Sequence, residues 1–143
     1  MSRRMEVAHG VVCRLPGDRL GYFGWPSVAR LDDGTLFVAS SGLRTEHVCP
    51  FGKTVLHVSR DDGATWSPPR VIQDSLIDDR DAGVVALGSR RVLVSWFRSI
   101  ASRTSGIPSW LPDAEKARWA EAHAACDGER LRALLGSWVM LSD

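Results

Sequence analysis

The sequence lacks the features that would commit it to a membrane, a nucleic acid or an oxidising compartment. No apolar run is long enough to cross a bilayer. The opening stretch M-S-R-R-M-E-V-A-H-G has two arginines but no apolar segment behind them, so it does not read as a secretory signal. From these two absences we expect a cytoplasmic protein without membrane contact. Charge of one sign is missing too. Lys and Arg total 18 against 17 Asp and Glu, a formal net charge of +1, which gives no basic field for nucleic acid. Cysteine is scarce: Cys13, Cys49 and Cys126 are widely spaced and odd in number, as free thiols would be. His47, Cys49 and His57 follow no zinc-ligand spacing, so neither a metal nor another cofactor is expected.

What is present fits one globular domain over 1–143, with 44% hydrophobic residues and six tryptophans. Residues 28–31 read as a strand, Asp33-Gly34 as a hairpin turn, and 36–40 as a returning strand apolar enough to be buried on both faces. A polar loop over 42–53 follows, then a strand over 54–59, a second turn at Asp62-Gly63, and a fourth strand ending at 70–72. Four antiparallel strands joined by short turns make a meander.

The pattern then restarts. A shift of 56 positions carries Gly24 onto Arg80 and, without a gap, Val28 onto Val84, Leu31 onto Leu87, Leu36 onto Val92 and Val38 onto Val94. A repeat of this size with four strands per unit is the signature of a propeller or array; two apolar hairpins alike in composition alone is the competing explanation. The second unit is interrupted over 98–136. Pro112 and the helix formers of 113–122 predict a helix there. A second helical stripe, Leu131, Leu134 and Leu135, stops at Gly136, which leaves Trp138 to a strand over 137–141.

Ser59-Arg60-Asp61-Asp62-Gly63-Ala64-Thr65-Trp66 matches the pattern S-x-D-x-G-x-T-W at every defined position. The motif describes a locked hairpin: Asp61 accepts backbone N–H groups, Gly63 takes a left-handed backbone, and Trp66 folds over the turn. It resembles the Asp box of the sialidase (neuraminidase) superfamily, and Ser59, Asp61, Gly63, Thr65 and Trp66 are structural residues in that resemblance. Ser142-Asp143 look like the opening of a second box. The resemblance covers roughly 20–143. It implies an all-β fold of four-stranded antiparallel propeller blades: a first blade over 20–72, an incomplete second blade over 80–143 with its helical insertion, and a six-bladed parent whose remaining blades lie outside this chain. It further implies a sialidase-like exo-glycosidase acting on a carbohydrate, this part being inactive alone; a non-catalytic propeller that binds glycans or proteins is the alternative. The family's F/Y-R-I-P stretch corresponds to Phe23-Gly24-Trp25-Pro26, with Gly24 where the family has arginine, and Glu46 stands in for an acidic residue expected after the second strand.

Strand direction sorts the loops. The turns at Asp33-Gly34 and at the Asp box share one end of the sheets, and the long polar segments share the other, where binding residues concentrate. The candidates at that end are Arg44, Glu46, His47, Lys53, Asp78, Asp79, Arg80, Asp81, Arg98 and Arg103. Of these, Asp79, Asp81 and Glu46 are expected to supply acid–base chemistry, and Arg80, Arg44, His47 and Lys53 to bind substrate. For Asp78-Asp79-Arg80-Asp81 a solvated charged turn competes with a site, and so does an ion-pair network locking one sheet to the next.

Overall fold

A computed structural model of the chain describes residues 8–142; the charged stretch within 1–7 and Asp143, the second residue of the suspected second box, lie outside them. Strand accounts for 40% of the structure and helix for 17%. The elements run β1 (Tyr22–Arg30), β2 (Leu36–Arg44), β3 (Lys53–Ser59), β4 (Arg70–Gln73), β5 (Asp78–Leu87), β6 (Arg91–Ser99), α1 (Ala101–Thr104), α2 (Asp113–Ala124), α3 (Gly128–Leu134) and β7 (Gly136–Leu141). They form two antiparallel meanders, β1-β2-β3-β4 and β5-β6-β7. Among the described residues no helix is long and apolar enough to cross a membrane.

The repeat read from sequence is a repeat of register. In the first sheet Ser27, Val28, Ala29 and Arg30 pair with Ala39, Val38, Phe37 and Leu36. In the second, Gly83, Val84, Val85 and Ala86 pair with Ser95, Val94, Leu93 and Val92. The same shift carries each pair onto its counterpart. It also carries one irregularity onto the other. Pairing slips between Gly24 and Ser27 in β1, and between Arg80 and Gly83 in β5, so two residues there oppose one across the ladder. Such a bulge bends the strand and re-aims its side chains. Its first residue has a left-handed backbone in both sheets, Trp25 at φ 50° and Asp81 at φ 54°.

The two sheets share a core. Leu31 and Ala39 of the first pack with Ala82, Val84, Val92, Val94 and Trp96 of the second, and β5 lies against β1, β2 and β3. The Ser27 hydroxyl accepts the Val84 N–H at 3.1 Å, and the Ser41 hydroxyl accepts the Asp81 N–H at 2.7 Å, stitching the sheets along both flanks of the second bulge. Residues on the other face of the same strands remain open, with Val28 and Val85 exposed.

The helices fall inside the expected insertion, with α1 an addition to it. The Pro112 carbonyl accepts N–H groups of Glu115 and Lys116, opening α2 as the sequence suggested. Trp119 on α2 is fully buried against Cys49, Leu111 and Phe51, so the insertion docks on the β2–β3 loop.

The structure corrects three boundaries. β1 begins at Tyr22 and β2 continues to Arg44, so the polar loop shrinks to 45–52. The second sheet, expected from residue 80, begins at Asp78, because Asp78, Asp79 and Arg80 already pair with Ser99, Arg98 and Phe97. The bulges hide these strand halves, since the extra residue breaks the period-two alternation that marks a strand.

Candidate functional site

At the Asp-box end the motif does what its residues suggest. Asp61 Oδ1 accepts the Thr65 N–H at 2.9 Å and the Ser59 hydroxyl at 2.8 Å, and its Oδ2 accepts the Thr65 hydroxyl at 2.5 Å. The Ser59 Oγ accepts the Gly63 N–H at 2.9 Å. Those hydrogen bonds, the Thr65 hydroxyl first, hold the Asp61 carboxyl down at about 2. Gly63 is left-handed at φ 87°, and so is Asp62 at φ 58°, a second such residue that the motif alone does not announce.

At the opposite end, charges from both sheets converge. Arg44, the last residue of β2, reaches Asp78, the first of β5, through two parallel hydrogen bonds of 2.7 and 2.8 Å. Both side chains are wholly buried. The Arg44 guanidinium also donates to the carbonyls of His47 at 2.9 Å and Glu46 at 3.3 Å, which engages all three of its nitrogens and shapes the β2–β3 loop around it. Gly52 is the other wall of this pair. A Cβ at Gly52 would fall 2.1 Å from Asp78 Oδ1 and 2.2 Å from Arg44 Nη1. The Gly52 carbonyl accepts the Asp79 N–H at 3.0 Å. Asp79, also wholly buried, accepts the Ser75 N–H at 2.6 Å and the Arg98 Nε–H at 3.1 Å. Burial pushes the Asp78 and Asp79 carboxyls up, against hydrogen bonds from Arg44 to the first and from Ser75 and Arg98 to the second. Asp78 and Asp79 are therefore not a solvated turn. They are the inner layer of the cluster: Asp78 joins Arg44 across the two sheets, and Asp79 joins Arg98 within the second.

An outer layer sits on this one. Arg80 is buried, yet its guanidinium forms no hydrogen bond among the described residues, and its Nε is an unpartnered donor. Its nearest carboxylates are Asp81 at 3.5 Å and Asp78 at 3.8 Å, near enough for attraction but not for a hydrogen bond. It lies instead over the Trp25 ring, 4.7 Å from its centre, with Phe97 at 5.9 Å. Trp25 in turn stands 4.7 Å from the His47 ring. The Asp81 side chain is 40% exposed, which makes it the solvent-facing carboxylate beside Arg80. Glu46 is half-buried, and desolvation raises its carboxyl against the opposing effect of His47.

Two expected residues, Lys53 and Arg103, stand apart from the cluster. Lys53 pairs with Asp74. Arg103, on α1, donates to the carbonyls of His123 and Cys126 and so ties off the end of α2. Arg98 joins Asp79 to the Trp138 ring, 4.2 Å from its guanidinium. Sequence reasoning missed Trp25 and Gly52. The repeat itself places Trp25 on Asp81, and that correspondence was the available signal for Trp25. Gly52 left no signal, because its role is steric and its partners lie far along the chain. Among the described residues no group of three or more His, Cys, Asp or Glu is placed to hold a metal ion. A groove of about 820 Å³ lies at the Asp-box end, lined by Phe37, Leu56, Trp66, Arg60, Arg70 and Arg90 among others, so this groove and the converging charges occupy opposite ends.

No family model and no curated protein matches the sequence. A solved structure of a protein of unknown function from Dyadobacter fermentans is similar, with a TM-score of 0.55 and 19% identity over 92% of this chain. The chain spans 35% of that protein's length, and at this identity the likeness speaks to the fold alone.

Proposed function

We propose that the chain supplies one four-stranded blade and most of a second to an Asp-box β-propeller of the sialidase-like glycoside hydrolase kind, with a carbohydrate site at the end away from the Asp box. The propeller reading is supported by the repeated register, by the hydrogen-bonded Asp-box turn and by the shared core of the two sheets. Further blades, outside residues 1–143, would close the ring and remove its open edges.

The observation that carries the functional reading is the outer layer: a buried guanidinium without hydrogen bonds, an aromatic ring beneath it and an exposed carboxylate next to it. Rings and paired donors and acceptors are what sugars need. In this reading Arg80 and Asp81 hold hydroxyl groups, Trp25 supports them, and Glu46, whose carboxyl desolvation raises, is the proton donor. Asp79 and Arg44 serve by fixing that layer in place.

Arg80→Ala tests the proposal. Because the Arg80 guanidinium makes no hydrogen bond among the described residues, its loss should leave the melting temperature within a few degrees of wild type while abolishing binding to a glycan array. A large melting shift with binding intact would make Arg80 a member of the sheet-locking network instead.

A further inference from the structure

Resting on the reading of this end as a sugar site, we propose that its ligand is an uncharged sugar, gripped through two neighbouring hydroxyl groups by Arg80 as donor and Asp81 as acceptor, and not a sugar acid. The reason lies in how the charges are already matched. Each arginine of the cluster faces a carboxylate: Arg44 faces Asp78 at 2.7 Å, Arg98 faces Asp79 at 3.1 Å, and Arg80 faces Asp81 at 3.5 Å and Asp78 at 3.8 Å. The one other cation of the expected set near these loops, Lys53, is paired with Asp74.

Arg44 and Arg98 are committed to their carboxylates. Among these arginines only Arg80 has a guanidinium that makes no hydrogen bond within the described residues, and it lies beside an exposed carboxylate. An anionic group arriving at Arg80 would meet Asp81, and Glu46 adds no compensating charge. A pair of hydroxyls meets no such conflict, since one oxygen accepts from the guanidinium while the next donates to Asp81. The backbone argues for the same pair. Asp81 holds a left-handed φ of 54° at the first bulge position, and strain of this kind persists where a side chain must be aimed.

The experiment measures the affinity of the protein for methyl α-mannoside, methyl β-galactoside, glucuronate and N-acetylneuraminate by ligand-observed NMR, in the wild type and in Asp81→Asn. Asparagine tolerates a left-handed backbone, and a melting curve verifies that the variant is folded. We expect at least one neutral sugar to bind better than both acids. Asp81→Asn should then weaken it at least tenfold, and its affinity should be unchanged between about 0.05 and 0.5 M salt. Preferential binding of an acid, tightened by Asp81→Asn and weakened by salt, would overturn this inference while leaving the sugar-site reading intact. Binding of none of the four would overturn both.

Discussion

β1 and β5 share a ladder, a bulge at the same place and a left-handed residue at its first position, yet one carries Gly24-Trp25 there and the other Arg80-Asp81. Away from the bulge the two strands are close substitutes, with Val28 on Val84 and Ala29 on Val85. At the bulge they differ in charge, size and polarity. The backbone is the constant part of the repeat and the bulge is where it is put to different uses. The two uses then meet, because the Arg80 guanidinium lies on the Trp25 ring. One strand provides the platform, and the other provides the groups that rest on it and reach outward.

The largest effect should come from removing what holds the two strand ends together. Asp78→Ala leaves the wholly buried Arg44 without its carboxylate and should cost ~3–5 kcal/mol in a urea melt. The double change Arg44→Met with Asp78→Leu should cost less than Asp78→Ala alone, since no charge is then stranded. Gly52→Ala should fall in the same severe class, because its methyl group would overlap both members of the pair.

A gentler change sharpens the contrast between the bulges. Asp81→Gly releases a strained backbone at an exposed side chain and should stabilise the protein by about 0.5–1 kcal/mol while weakening sugar binding. Trp25→Gly releases the same strain but also removes the ring under Arg80 and beside His47, and should destabilise. Equal effects from the two would mean that the bulge residues are interchangeable and that their chemistry is incidental.

The smallest expected effect lies at the far end. The Asp61 carboxyl is held at about 2, below its unfolded value, so the turn's contribution is fully present above about pH 4 and is lost as pH falls towards 2. Asp61→Asn should lower the melting temperature at neutral pH and flatten this acid limb. Sugar affinity should not change, because the turn and the charge cluster lie at opposite ends.

Much of this was legible in the sequence where the physics is local. The Asp-box hydrogen bonds span at most four residues, so their residue types appear together in the chain. The ladder repeat was legible because alternating apolar residues survive a shift intact. The buried charges were not. For Asp78 and Asp79 a solvated turn stayed open beside a site and an ion-pair network, because their partners, Arg44 and Arg98, lie 34 and 19 residues away. Composition reports a charge but not its partner. The convergence of the loops was foreseen from strand direction. The division into a buried inner layer and an accessible outer one required the side chains themselves.

A titration with a neutral methyl glycoside, followed by amide and indole chemical shifts, shows which end of the molecule holds the sugar. Shifts are expected at Trp25, Glu46, His47, Arg80 and Asp81, the residues of the outer layer. Shifts confined to Arg60, Trp66, Arg70 and Arg90, around the groove at the Asp-box end, would place the ligand at the other end of the molecule and contradict a site at the charge cluster.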